Sequence, residues 1–160
     1  MPELLTGQTA VVTGASSGNG RAIAKRFAEN GADVVVADII REPREGGDPT
    51  DDLVEAETDA SATFVECDVS NVDDIAAAVD AAEAFGGVDT MVNNAGIMGQ
   101  ESLFDTTEED YQRLMDINVK GVFFGSQIAA ERMVESGTEG SIINLSSVGG
   151  LRGSSPLAMA

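Results

Sequence analysis

Short apolar runs alternate along the chain with stretches in which apolar residues recur with helical periodicity. The runs predict β-strands near residues 9–13, 33–37, 62–66, 88–92 and 140–145, and the periodic stretches predict helices near 19–30, 72–85 and 107–135. Strands that read as continuous apolar runs and alternate with helices are typical of a parallel sheet covered by helices on both faces. We therefore predict an α/β fold with a doubly wound parallel sheet.

Residues that typically cap or end helices support these boundaries. Gly31 directly follows the first predicted helix and is a suitable stop for it, and Asn71 can cap the helix that begins near residue 72. Residues 41–60 are acidic and rich in Gly and Pro, with a possible short helix at 51–57. We interpret this segment as a surface insertion between two strands. The length of 160 residues fits a single domain covering 1–160.

The charge balance is strongly acidic. The chain has 28 acidic and 9 basic residues, a formal net charge of −19, and its only lysines are Lys25 and Lys120. Such a field repels phosphate backbones, so we expect no nucleic-acid partner. Molar salt shortens the Debye length to about 3 Å and relaxes the self-repulsion of an acidic surface. A halophilic source is therefore a hypothesis that the composition suggests.

Several kinds of chemistry are excluded by residues that the chain lacks. Without histidine it can form neither a Ser-His nucleophile pair nor a histidine metal site, and we expect no metal. Cys67 is the only cysteine, so no internal disulfide can form. No apolar run approaches the length that spans a bilayer, and the first residues lack a basic, apolar leader pattern. We expect a soluble, cytoplasmic protein without a membrane partner.

A glycine-rich turn is the strongest functional signal. Residues 13–20 read TGASSGNG and lie between the first predicted strand and the first predicted helix. A strand that turns sharply into a helix exposes unpaired N–H groups at the positive end of the helix dipole, which favours an anion such as pyrophosphate. The spacing is G-x-x-x-G-x-G, without the Gly-Lys-Ser/Thr ending of a P-loop. The turn therefore predicts a dinucleotide site rather than a kinase or GTPase site.

Asp38 is the second element of this site. It ends the second predicted strand, where a carboxylate can hydrogen-bond the adenosine ribose hydroxyls of a dinucleotide. A 2′-phosphate would be repelled by this carboxylate, so Asp38 favours NAD over NADP. Arg41 and Arg44 are nearby and leave the NADP alternative open.

Five motifs occur together in one order and spacing: T-G-x-x-x-G-x-G at 13–20, D-V at 68–69, N-N-A-G at 93–96, Asn118, and I-N-L-S-S at 143–147. In this the chain resembles the short-chain dehydrogenase/reductase family over essentially its whole length. The resemblance implies a Rossmann-like sheet with strand order 3-2-1-4-5 and hydride transfer between a nicotinamide dinucleotide and a small alcohol or ketone. It also implies a homo-oligomer for the full-length protein.

The family's roles can be carried over residue by residue. By this resemblance, Asn118 belongs to a proton relay and Ser147 hydrogen-bonds the substrate oxygen. We interpret Ser146 as structural, and Asn93 as a residue whose amide ties the fourth strand to its neighbours. Asn19 departs from the usual isoleucine, but its backbone N–H can still face a phosphate. The residues expected to line the NAD site are Gly14, Ser16, Ser17, Gly18, Asn19, Gly20, Asp38, Asp68, Val69, Asn94, Ala95 and Gly96.

The family's Tyr-x-x-x-Lys pair is unmatched. Its tyrosine would fall about thirteen residues after the catalytic serine, on Ala160, which is the last residue. Tyr111 lies on another helix, and Lys120 points away from the side that Asn118 uses. We therefore expect the 160 residues alone to be truncated after the fifth strand, to turn over poorly and to associate through that open edge. The alternatives are a non-catalytic NAD-binding module and an inactive remnant.

Overall fold

The computed structural model describes residues 4–99, 102, 104–147 and 149. Five strands form one parallel sheet in the order β3-β2-β1-β4-β5, as predicted. Strand β1 lies at the centre of the sheet. Strands β2 and β3 follow on one side of it, and the chain then crosses over so that β4 and β5 lie on the other side. The strands are β1 (Thr9–Thr13), β2 (Asp33–Asp38), β3 (Ala62–Glu66), β4 (Thr90–Asn93) and β5 (Ser141–Asn144).

Five α-helices connect the strands: α1 (Gly18–Ala28), α2 (Thr50–Glu57), α3 (Val72–Asp80), α4 (Glu108–Met115) and α5 (Gly121–Ser136). The two longer predicted helices are interrupted. A 3₁₀ turn at Ala81–Phe85 extends α3, and a π-helical turn at Asp116–Lys120 joins α4 to α5. In the part of the chain that the structure describes, no helix is both long and apolar enough to cross a bilayer.

Alternating side chains of the central strand point to two separate cores. Val11 faces α3 and α5, while Ala10 and Val12 face α1 and α2, and all three side chains are buried. The first core takes Ile75 from α3 and Met91 from β4, and the second takes Ala24 from α1 and Val54 from α2. Both faces of the sheet are therefore covered, which agrees with the continuous apolar strands of the sequence.

The ends of two helices are fixed by side chains. The Asn71 side chain accepts a hydrogen bond from the Asp73 N–H and caps α3, as predicted. Thr107 and Asp110 form a reciprocal capping box at the start of α4, and this hydrogen bonding lowers the pKa of the Asp110 carboxyl. The capping box fixes where α4 begins beside the sheet.

Residues 41–60 are more than a surface insertion. Thr50, which begins α2, is fully buried and its hydroxyl donates to the Ala15 carbonyl oxygen at 2.9 Å. Arg21 of α1 holds the same segment by donating to Thr50 Oγ1 and to the Asp48 carbonyl oxygen. The segment packs on the glycine-rich turn because its few buried polar groups find their partners there.

Strand β5 is the sheet's edge among the described residues. It pairs with β4, and its Ile142 and Ile143 are 38% and 42% exposed. Apolar side chains of a parallel sheet are normally covered on both faces. The exposure of these two isoleucines shows that this end of the sheet has little cover from the described residues.

We predict that Gly125→Ala destabilises the fold by about 1–3 kcal/mol through overpacking. A Cβ on Gly125 of α5 would collide with Asn93 Oδ1 and lie 3.1 Å from Met91 Cε, where β4 leaves no space. Replacing a helical glycine with alanine normally gains about 1 kcal/mol, which the collision outweighs. The free energy of unfolding in urea measures the effect.

The control is Glu131→Ala, an exposed position on the same helix, where we expect a change within about 0.5 kcal/mol. Equal stability of Gly125→Ala and the unmodified chain would contradict the close helix–strand contact.

Candidate functional site

A cleft of about 580 Å³ opens at the carboxyl ends of the central strands. Its lining combines the turn after β1, the end of β2, the segment after β3, the loop after β4 and one side of α4. Connections from β1 and β4 leave toward opposite sides of the sheet, which makes a crevice at the point where the strand order reverses. Ligands of open α/β sheets bind at such a switch point.

The glycine-rich turn packs directly against the loop after β4. Gly14 has φ 65°, and a Cβ there would lie 3.0 Å from both Ala95 Cα and Asn94 Nδ2. At Gly20 a Cβ would collide with the Gly14 carbonyl oxygen. Glycine is therefore required at both positions, by conformation and by space at the first and by space at the second.

Thr13 joins the ends of β1 and β4 below the cleft. Its Oγ1 accepts hydrogen bonds from the N–H groups of Asn94 and Ala95, each at 3.0 Å, and donates to the Val92 carbonyl oxygen at 3.3 Å. In return, Asn94 Nδ2 donates to the carbonyl oxygens of Thr13 at 2.8 Å and Gly14 at 3.2 Å. This network fixes the spacing between the two strands that form the crevice.

Asp38 stands at the edge of the cleft with a fixed orientation. Its Oδ2 accepts from the Ser16 N–H at 3.0 Å, and its Oδ1 accepts from the Ile39 N–H at 2.8 Å. Each carboxylate oxygen has a second lone pair, so both can accept a further hydrogen bond from a ligand hydroxyl. The side chain is thus held by the backbone yet keeps acceptor capacity toward the cleft.

Polar groups of the glycine-rich turn remain without partners among the described residues. The Ser16 hydroxyl is buried and unpaired. The N–H groups of Asn19 and Gly20, in the first turn of α1, find no acceptor there either. The Gly18 N–H, by contrast, donates to Glu45 Oε1 at 3.0 Å, and this hydrogen bond is the main reason why the pKa of Glu45 is lowered.

The segment after β3 forms another wall. Cys67 is buried there, and burial together with the carboxylates of Asp74, Asp68 and Asp38 raises the pKa of its thiol to about 12. The thiol therefore stays protonated at neutral pH, which removes it as a nucleophile. Among the described residues, no cluster of three or more histidine, cysteine, aspartate or glutamate side chains could hold a metal ion.

Asn118 lies in the π-helical turn between α4 and α5. Its Oδ1 accepts from the Ile97 N–H at 2.9 Å, and its Nδ2 donates to the Ile97 carbonyl oxygen at 2.8 Å. The amide therefore clamps the loop after β4 to the helix. Single π turns inside α-helices occur frequently at functional sites. Ser147 is exposed after β5, and its Oγ accepts from the Gly149 N–H at 3.1 Å.

The predicted residues fall into three positions relative to the cleft. Asn118 and Ser147 are outside its lining. Ser16, Gly18, Asn19, Gly20 and Asn94 belong to the turn and loop that support it. Ala160, on which the family's tyrosine position falls, lies outside the described residues. The residues that line the cleft as predicted are Gly14, Ser17, Asp38, Asp68, Val69, Ala95 and Gly96.

Other lining residues were not among the predicted cofactor-binding residues, although Arg44 was singled out as a basic residue near Asp38. Four of these residues lie after strand ends and adjoin predicted positions: Ile39, Cys67, Ser70 and Ile97. Their places in the sequence could therefore have identified them as lining residues. Arg44 lies in the segment that we interpreted as a surface insertion. The remaining residues come from α4 and the π-helical turn that follows it, where the spacing is helical but nothing in the sequence tells which element they face: Glu109, Gln112, Arg113, Asp116 and Ile117.

Comparison with known proteins gives one consistent family. The family model described as short chain dehydrogenase matches residues 8–159. L-2,3-butanediol dehydrogenase of Corynebacterium glutamicum is 40% identical over 147 residues, 91% of this chain and 56% of that protein. The NADP-dependent (R)-specific alcohol dehydrogenase of Lentilactobacillus kefiri is 39% identical over 158 residues, 96% of this chain and 59% of that protein. The chain thus spans somewhat more than half the length of these curated relatives.

Solved structures agree in fold. A short-chain type dehydrogenase/reductase from Mycobacterium marinum superposes with a TM-score of 0.88 at 35% identity, covering 98% of this chain and 62% of the other. The similarity therefore includes the strand order and the flanking helices.

We predict that Thr13→Val lowers the free energy of unfolding by about 1–3 kcal/mol, because the isosteric side chain leaves the N–H groups of Asn94 and Ala95 without their acceptor. Thr13→Ser keeps the hydroxyl and is the matched control, which we expect to lose less stability than Thr13→Val. Urea unfolding of both variants measures the difference. If the two variants were equally stable, the hydroxyl network would not hold the strands together.

Proposed function

Because the chain belongs to the short-chain dehydrogenase family, we propose that it binds NAD and serves an oxidoreductase that transfers hydride between NAD and a small alcohol or ketone. The observation that carries the choice of NAD is the position of Asp38 at the edge of the cleft, with both oxygens oriented by backbone N–H groups. The chain covers little more than half of its curated relatives, so the complete reaction is proposed for the whole protein.

The cleft fits a dinucleotide by three features. Its volume of about 580 Å³ lies within the usual range for cofactor sites. The unpaired N–H groups of Asn19 and Gly20 at the start of α1 can donate to pyrophosphate oxygens, which the helix dipole also favours. Asp38 can accept from the ribose hydroxyls, and the unpaired Ser16 hydroxyl lies in the same turn.

The selectivity for NAD is proposed from the charges around the ribose site. Arg41 cannot readily serve a 2′-phosphate, because its guanidinium binds Asp51 at 2.8 Å and also pairs with Asp52. These hydrogen bonds raise the pKa of Arg41. Of the basic residues that the structure describes, Arg44 and Arg113 line the cleft with Asp38, whose carboxylate opposes a 2′-phosphate.

We propose that Asn118 and Ser147 belong to the part of the site where hydride is transferred. When NAD or NADH is bound, its nicotinamide supplies the acceptor or donor of hydride. The Asn118 amide holds the Ile97 backbone and so positions the loop that separates the cleft from the substrate side. The Ser147 hydroxyl is proposed to donate to the substrate oxygen. The protonated Cys67 thiol takes no part.

The composition also supports a proposal about the salt concentration in which the protein works. An acidic excess that gives a net charge of −19 with two lysines supports a cytoplasm of high salt, where screening reduces the repulsion among surface carboxylates. We propose a small-molecule substrate and a homo-oligomer for the full-length protein.

We predict that Asp38→Asn weakens NAD binding by about tenfold and binds NADP at least as well as the unmodified protein. The substitution keeps the shape of the side chain but removes the charge that strengthens hydrogen bonds from ribose hydroxyls and repels a 2′-phosphate. Calorimetric titration with each dinucleotide measures both affinities. Asp59→Asn is the control, because Asp59 is exposed and outside the cleft lining and the change in net charge is the same. An unchanged NAD to NADP affinity ratio in Asp38→Asn would refute the role of Asp38.

The turnover test uses the full-length protein, for which the complete reaction is proposed, with NAD and a panel of small secondary alcohols that includes 2,3-butanediol. We predict NADH formation, and a kcat at least about 100-fold lower in Ser147→Ala with NAD affinity unchanged. Ser146→Ala, at the neighbouring exposed position, should keep most of the activity. Tight NAD binding without turnover of any alcohol or ketone would instead favour the non-catalytic binding module.

A further inference from the structure

Among the basic residues that the structure describes, two arginines make no side-chain hydrogen bond or ion pair, and both line the cleft. Six of the eight basic residues that the structure describes make side-chain hydrogen bonds or ion pairs: Arg21, Lys25, Arg26, Arg41, Lys120 and Arg132. Arg44 and Arg113 make neither with another described residue. Arg113 still attracts the Asp110 carboxylate, because its charge helps to lower the pKa of Asp110.

Both residues also line a second cavity beside the cleft. This cavity, about 480 Å³, is lined by Arg44 and Arg113 together with residues 96–99 of the loop after β4. Arg44, Gly96, Ile97 and Arg113 line both the cavity and the cleft. A group bound between the guanidinium groups would therefore lie at the boundary between the dinucleotide cleft and the loop that Asn118 holds.

The backbone at each arginine is anchored, although its guanidinium has no hydrogen-bond partner among the described residues. The Arg44 N–H donates to Ser17 Oγ at 2.8 Å, and the next residue, Glu45, is bound to the Gly18 N–H. Arg113 lies in α4, whose first turn is fixed by its capping box. The two arginines therefore line the cavity from separate elements whose backbones are fixed. A fixed backbone reduces the conformational entropy that the protein loses when it binds a ligand.

The balance of charge within the cavity is positive. Its only carboxylate among the described lining residues is Asp110, whose Oδ2 already accepts from the N–H and hydroxyl of Thr107. Two guanidinium groups remain, and their planar forks match the oxygen spacing of phosphate and carboxylate groups. In a protein with a net charge of −19, two guanidinium groups lining one cavity make it a local site that favours an anion.

We infer that Arg44 and Arg113 form a binding site for an anionic group, phosphate or carboxylate, of a ligand that occupies the cleft. The inference deepens the proposed function and rests on it for the identity of the ligand. Two sources share this chemistry: the 2′-phosphate of NADP, and a phosphate or carboxylate of the substrate. The first would extend the site to NADP despite Asp38, and the second would define the substrate as an anionic alcohol or ketone.

The first experiment measures the site without any dinucleotide. Inorganic phosphate is titrated into the intact protein and into Arg44→Gln and Arg113→Gln, and binding is followed by NMR signals of the arginine Nε–H groups or by calorimetry. We expect phosphate affinity to fall by about tenfold in each variant, because each removes charge-assisted hydrogen bonds. Arg26→Gln is the control: it makes the same change of net charge at an exposed α1 ion pair and should leave the affinity unchanged.

Equal phosphate binding in the unmodified protein and in the double variant Arg44→Gln, Arg113→Gln would overturn the inference. So would a loss of the same size in Arg26→Gln, because the effect would then follow net charge alone. Unfolding in urea accompanies each titration, and a variant that is less stable than the control is replaced by Arg44→Met or Arg113→Met. These keep the aliphatic stem but remove the charge, so the same loss of phosphate affinity is expected.

Titration with NAD and NADP then distinguishes the two sources. A selective loss of NADP affinity in the arginine variants assigns the site to the 2′-phosphate. Unchanged affinity for both dinucleotides, with phosphate binding lost, assigns it to the substrate. If neither dinucleotide binds while phosphate binding still depends on both arginines, the proposed function fails and the anion site stands.

Discussion

The hydrogen bonds of Thr13 to Asn94 and Ala95 are the constraint on which the site depends. They join the central strand to its neighbour at the point where the chain reverses the order of the sheet. With that spacing fixed, the glycine-rich turn can pack against the loop after β4, as the absence of space for a Cβ at Gly14 shows. A crevice, rather than a closed surface, is left above the strand ends.

A second consequence follows for electrostatics. The N–H groups of Asn19 and Gly20, at the start of α1, have no acceptor among the described residues. Asp38 uses the N–H groups of Ser16 and Ile39 for orientation. The crevice therefore offers donors for an anion and, beside them, a carboxylate for hydroxyls. Both features suit a dinucleotide in a strongly acidic protein.

Much of the fold could be predicted from the sequence, because it is recorded in local periodicity. Local patterns or family motifs were enough to predict the five strands, their order and the Asn71 cap. They were also enough to predict the structural role of Asn93, which donates to Ser126 and Asn144. The wall formed by α4 could not be predicted in this way, because its lining face is set by tertiary packing. The π-helical turn could not be predicted either, because no residue type marks it. The sequence predicted one uninterrupted helix near 107–135.

The segment after β2 shows why a polar, glycine-rich composition is a poor guide to function. Its composition resembles that of a solvated loop, yet Thr50 and Arg21 bind it to the turn and Glu45 caps the Gly18 N–H. Arg44 consequently stands in the cleft while Arg41, three residues earlier, is neutralised by Asp51 and Asp52. Two arginines of the same segment thus differ in availability through their partners alone. The charge that a ligand meets is decided by these pairings, and the net charge of the chain does not reveal it.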